Sequence, residues 1–241
     1  MHKLALVAVI GLTGSAVCMG AAAAIGGRDF GGGLDFPMFS GDRPRCETIQ
    51  GASATSRDLD WDGSDHFGLS VGGHANYTPG SDNKVHVSGG DPQMLAHLRV
   101  RNGNLELDCR GWHQDSALNI TLPGQEFKKF SIAGSGNMVL SKLDQMMVKV
   151  SIAGSGSIKA DGKVEHAEIH IAGSGDADLG QVKANIASVH IAGSGNTDIA
   201  PTDEADIHIA GSGDVNLHTS PKKLETHIAG SGRIHNIGSG G

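Results

Sequence analysis

The chain has 241 residues, enough for one large domain or two small ones, and spends 37 of them on glycine against six phenylalanines, two tryptophans and one tyrosine. So few large side chains exclude a wide aromatic core, and packing has to come from small and β-branched residues stacked closely, as in a solenoid. The formal charge of −7 excludes the basic footprint of a nucleic-acid-binding protein, and no nucleic-acid partner is expected.

Met1-His2-Lys3 is a short basic start, Leu4 to Leu12 an apolar run, and Ala21 to Ala24 supply the small residues that signal peptidase needs. Residues 1–25 are therefore expected to be a signal peptide. The alternative is an uncleaved membrane anchor, because Leu4 to Ile25 is 22 mostly apolar residues. Contact with a membrane is expected only through this segment. Lipidation at Cys18 lacks the small residue wanted in front of it, where Val17 stands. Export leaves Cys46 and Cys109 in an oxidising compartment, where one disulfide is expected and two buried free thiols are the alternative. Residues 26–45 hold too much glycine and too little periodicity to pack, and read as a linker.

Residues 46–124 carry short alternating runs at Phe67–Val71, Lys84–Val87, Leu105–Cys109 and Leu118–Leu122, separated by Gly, Pro and Asn/Asp turns. These are predicted strands of a less regular first part of the domain. One helical turn is predicted at Asp91–Leu95, with Asp91 as N-cap and Pro92 in the first helical position. Asp58-Leu59-Asp60-Trp61-Asp62-Gly63 imitates the start of a calcium loop, but Leu69 stands where the helix-loop-helix motif needs a bidentate glutamate. What remains is a non-helical calcium turn or a plain Asp-Gly turn.

From residue 125 to 241 an internal repeat takes over. Ile-Ala-Gly-Ser-Gly occurs six times, its isoleucines at Ile132, Ile152, Ile171, Ile191, Ile209 and Ile228, spaced 20, 19, 20, 18 and 19 residues apart. Alternation inside each unit places Ala167, Ile169 and Ile171 inward and Glu168 and His170 outward. The predicted fold is all-β, a right-handed parallel β-helix with coils of about 19 residues, right-handed because crossovers are strongly biased that way. The two glycines of Gly-Ser-Gly are expected to permit corner angles that a Cβ forbids. The inward pattern then resumes at Met138 and Leu140, Ile158 and Ala160, Ala177 and Leu179, Thr197 and Ile199, and Val215 and Leu217.

The repeats, each followed by Asn, Asp or Ser (Asn137, Ser157, Asp176, Asn196, Asp214) and preceded by Leu118-Asn119-Ile120-Thr121-Leu122-Pro123, resemble the auto-transporter adhesin head GIN domain over roughly residues 50–236. That resemblance implies a β-helix in the envelope of a Gram-negative bacterium, in the periplasm or on the outer surface, of unassigned molecular function. It brings no catalytic residue. The chain lacks a long C-terminal translocator barrel, so autotransport is not expected.

The candidate binding surface is an outward stripe: His170, His190, His208 and His227, each one residue before an isoleucine of the motif, with Glu168, Asp206 and Glu225 two residues earlier. Stacked imidazoles and carboxylates invite Zn²⁺ or Cu²⁺ chemistry, yet parallel side chains diverge from the tetrahedron zinc prefers, and a copied Glu/His face is also what a solvated wall looks like. No cofactor or metal is assigned. A carbohydrate-active enzyme using Asp178 and Asp198 is the third reading, set against the lack of long loops and aromatic platforms. The leading expectation is a non-catalytic exported scaffold that presents its surface to a polysaccharide or an envelope protein. Self-association through the edge of the C-terminal coil is a further expectation.

Overall fold

The computed structural model describes residues 43–80, 82–112 and 117–238. The expected signal peptide or anchor and residues 26–42 of the expected linker lie outside them. Among the described residues no helix is long and apolar enough to cross a membrane. These residues are nearly all β and wind into a solenoid of about five turns.

Period-2 alternation makes the strands. In β10 (Ser157–Gly173), Ile158, Ala160, Val164, Ala167, Ile169 and Ile171 point inward and are at most 2 % exposed. Burying each large aliphatic side chain contributes roughly 2 kcal/mol of transfer free energy. A full coil pairs in parallel with its neighbours: β9 (Asn137–Gly154), β10, β11 (Asp176–Gly193) and β12 (Thr197–Gly211) lie side by side with Ile152, Ile171, Ile191 and Ile209 in one column. The uneven period is absorbed by register slips after the post-corner strand, between Ala160 and Gly162 against β9 and between Lys159 and Asp161 against β11. Between β11 and β12 the register slips between Leu179 and Lys183 and again between Ala184 and Ile186, while the strands flanking the corner stay aligned. The ten positions expected inward after the corners are all buried.

The two glycines of a corner do different work. Gly173 has φ +125°, a left-handed conformation that side chains resist. Gly175 needs no special angle; a Cβ there would lie 2.5 Å from both the Gly156 carbonyl oxygen and Ile152 Cγ2 of the coil beneath. A Cβ on Gly173 would likewise lie 2.5 Å from the Gly154 carbonyl oxygen, so both glycines answer to a close approach and Gly173 to an angle as well. The Asn or Asp after the corner is also structural. The carboxylate of Asp176 accepts from the backbone N–H of Asn196 (2.9 Å), the Asn196 side-chain oxygen from that of Asp214 (3.1 Å), and Asp214 from that of Arg233 (2.8 Å).

Segments without the motif extend both walls. On one, β8 (Lys129–Gly134) pairs with β2 (His66–Leu69), so Phe67 meets Phe130 and Leu69 meets Ile132; β6 (Asn104–Leu107) follows in parallel and β5 (Leu98–Arg101) in antiparallel. On the other, β3 (Gly73–Tyr77) pairs with the first half of β9, then come β7 (Leu118–Thr121), β4 (Lys84–Ser88) and β1 (Ser56–Asp60), the last two antiparallel. Five aromatics gather here: Trp61, Phe67, Tyr77, Phe127 and Phe130 pack with ring centroids 5.1 to 6.2 Å apart.

This end is closed. Helix α1 (Pro92–His97) forms with Asp91 as N-cap, accepting from the Gln93 N–H, and buries Met94 and Leu95. Arg57 donates to the carbonyls of Leu95 and Ala96 at its C-terminus. Cys46 and Cys109 are joined by a disulfide, Cα to Cα 4.8 Å. The opposite end finishes in β13 (Val215–Leu217), β14 (Lys223–Gly230) and β15 (Ile234–Asn236), paired to β12, β12 and β13 respectively.

Candidate functional site

Parallel register brings the histidines together. His170, His190, His208 and His227 occupy equivalent positions in β10, β11, β12 and β14, with Ser151 and Ser131 continuing the column toward the closed end. The four imidazoles stack face to face, with centroids 5.0, 5.0 and 4.7 Å apart and planes within 17°. Two residues earlier runs the companion column Lys129, Lys149, Glu168, Ser188, Asp206 and Glu225.

Three of the rings also meet polar side chains within the wall, and His227 stacks on His208. His170 Nε2 donates to Glu168 (2.5 Å), whose carboxylate also accepts from Lys149 Nζ (2.9 Å). Ser188 Oγ lies 3.3 Å from His190 Nε2. His208 Nε2 is 3.1 Å from Asp206 Oδ1, but off the hydrogen-bond axis, so this is an ion-pair contact only. Glu225 holds Lys223 (2.8 Å), which also reaches Glu204 (2.7 Å).

His170 was expected on an open face, and the structure corrects this. It points outward yet is only 8 % exposed, because Ser151 and His190 sandwich it and Glu168 lies against it. Exposure returns along the stack: His190 and His208 are half-buried and His227 is exposed. Electrostatics follow burial. Desolvation pushes His190 down to about 4, and repulsion from His170 and His208 adds to it. Desolvation likewise lowers His170 against the pull of Glu168. Burial raises the Glu168 carboxyl, but the hydrogen bonds from Lys149 and His170 outweigh it and hold the group below its usual range.

Ligand atoms of Asp206, His208 and His227 lie within 4.8 Å of one another. An ion about 2.1 Å from each imidazole nitrogen needs those nitrogens no more than about 4.2 Å apart, with lone pairs converging. Rings parallel within 9° aim the same way, so the stack as it stands is a wall and not a tetrahedral site.

Residues 68–221 match the profile of the family described as "Putative auto-transporter adhesin, head GIN domain". The chain belongs to this family. Among solved structures, a "putative adhesin" from Bacteroides fragilis is 20 % identical with a TM-score of 0.55, over 76 % of this chain and 96 % of that one. A "putative adhesin" from Parabacteroides distasonis is 17 % identical with a TM-score of 0.49, over 81 % and 100 %, and a "putative lipid binding protein" of the same species is 18 % identical with a TM-score of 0.48, over 76 % and 96 %. At such identities the Bacteroides likeness speaks for the fold alone. No curated protein matches.

Elsewhere in this head GIN domain the candidate carboxylates are kept apart. Asp58 lies in β1 against His86 (2.9 Å), Asp60 meets Lys84 (3.6 Å), and Asp62 accepts from the backbone N–H groups of Ser64 and Gly103. Three carboxylates each turned to a different partner do not make a calcium turn. Asp178 takes Lys159 (2.5 Å) and the Gly180 N–H, whereas Asp198 takes His218 (2.7 Å) and Asn216 (3.2 Å). A glycosidase pair needs one carboxyl free to donate a proton, and neither is so placed. Sequence reasoning missed Lys149 as the partner of Glu168. The signal was available, since Lys149 stands one repeat of 19 residues earlier.

Proposed function

We propose that this protein is exported to the cell envelope, in the periplasm or on the outer surface, and works there without catalysis, as an adhesin-like scaffold whose wall binds an envelope polysaccharide or protein. One observation carries the reading. The outward stripe from Glu168 and His170 to Glu225 and His227 is held in register over four coils by ring stacking and by side-chain partners inside the wall. A surface ordered before its partner arrives loses little side-chain entropy on binding. Membership of the head GIN family supports an envelope location.

The test has two arms. Fractionation of cells producing the full chain should place it in the envelope fraction, and a cytoplasmic pool would sink the address. Immobilised chain should then retain an envelope polysaccharide or protein, and His208→Ala with Glu168→Ala should weaken retention at least tenfold at a temperature where circular dichroism shows the variant still folded. Retention indifferent to both changes would move the binding face off this stripe.

A further inference from the structure

The two ends of the solenoid are unlike. At the closed end, Met94, Leu95 and Leu98 are at most 1 % exposed. At the other end every residue of β14 is exposed, including the positions that point into the core in every earlier coil. Leu224 is 46 % and Ile228 44 % exposed, and Ile237 beyond them 52 %. Between the first two sits Thr226, in a column that reads Phe67, Phe130, Val150, Ile169, Val189 and Ile207 in the coils behind it. The core column thus turns polar in the coil whose far backbone edge has no strand beside it among the described residues.

β14 is also self-complementary. Taken about Thr226, the strand reads apolar, acidic, Thr, basic, apolar: Leu224, Glu225, Thr226, His227, Ile228. An antiparallel copy centred on Thr226 sets Leu224 opposite Ile228, Glu225 opposite His227, and Thr226 opposite itself. Directly opposed residues have Cβ atoms about 5 Å apart; apolar and Thr–Thr pairs are favourable there, and an imidazole N–H opposite a carboxylate can donate to it. A two-fold axis perpendicular to the wall, passing midway between the two copies of Thr226, keeps the inward face of both strands on the same side. Leu224 and Ile228 of each copy then meet Ile228 and Leu224 of the other, and each outward stripe continues into its partner's.

The geometry points to an isologous interface: the β14 edge pairs with β14 of a second copy of this chain, in the register centred on Thr226, to give a two-fold dimer joined at the open ends. Head-to-tail stacking is disfavoured because the closed end, covered by α1 and the antiparallel strands, offers no matching parallel edge. A closed two-fold contact also removes the exposed edge that would otherwise template open-ended association.

Sedimentation of the full chain over about 1 to 100 μM tests this, with a dimer of twice the chain mass expected to fill with concentration. Leu224→Lys and Ile228→Lys, at already exposed positions, should each give a monomer across that range while keeping the circular-dichroism spectrum of wild type and the melting temperature of dilute, monomeric wild type. Thr226→Cys should form a covalent dimer on oxidation that wild type does not. Register is read from charges: Glu225→His alone and His227→Glu alone should weaken the dimer at least tenfold, and the double exchange should restore it. A monomer at every concentration, a dimer that survives both lysine variants, a Thr226→Cys variant that stays uncrosslinked on oxidation, or species larger than a dimer would each overturn the proposal.

Discussion

At Gly173 the backbone sits at φ +125°, and at Gly175 the coil below leaves no room for a Cβ, yet the serine between them is exposed. The three corner residues should therefore respond differently to replacement by alanine. Gly173→Ala is expected to cost at least about 2 kcal/mol through backbone strain, and Gly175→Ala about 1 to 3 kcal/mol through overpacking against Ile152. Ser174→Ala should stay within about 0.5 kcal/mol. Urea denaturation of the three variants checks the order, and a costly serine would mean that the corner is held by its hydroxyl. The motif itself was legible from the chain, but the reason for each glycine was not. Both depend on atoms one coil away, Gly173 on a torsion angle besides, and a linear string displays neither.

The histidine column is an element-scale property, because burial and mutual repulsion belong to the stack and not to one ring. His190, held at about 4, sits below the ordinary 6.5 of an unfolded imidazole. Between those values the unfolded chain takes up a proton that the folded stack refuses, so stability falls as pH drops through 6.5 and keeps falling to about 4. Above 6.5 the contribution is complete. His170 is shifted the same way. His86 works oppositely: its hydrogen bonds to Asp82 and then Asp58 raise it, so its contribution is present below 6.5 and lost as pH rises through its folded value. Because the His86 side chain is 41 % exposed whereas His170 is 8 % exposed, the stack should dominate. Melting temperature is expected to fall from pH 6.5 to pH 4, with a shallower slope for His190→Asn; equal slopes would acquit the stack. Alternation and the repeat were enough to place the four histidines in one column. They were not enough to show that His170 is covered, since that depends on side chains from two neighbouring coils. Strands of the closed end were harder still. β1 is Ser-Arg-Asp-Leu-Asp with one buried residue, Leu59, and its antiparallel partner β4 belongs to no repeat.

For the described residues as a whole, the two ends set the order of unravelling. A solenoid is held by contacts between adjacent coils, so it frays from whichever end is least buried. The closed end is tied by the Cys46–Cys109 disulfide, whose sequence separation of 63 corresponds to about 4 kcal/mol of loop-closure stabilisation. Cys46→Ala with Cys109→Ala should lower the unfolding free energy by about that amount, read from denaturant titration. Hydrogen exchange then gives the spatial pattern. In dilute protein, amides of β14 and β15 should exchange first, those of β12 next, and those of β9 and β10 last, because β14 is exposed along its whole length while β10 is covered on both sides. The cysteine variant should speed exchange around α1 and β5 and leave β14 unchanged. Raising the protein concentration should slow β14 selectively, because its free edge is where a second copy pairs, and should leave the closed end as it was. Equal protection at both ends in dilute protein would remove the asymmetry on which that pairing depends.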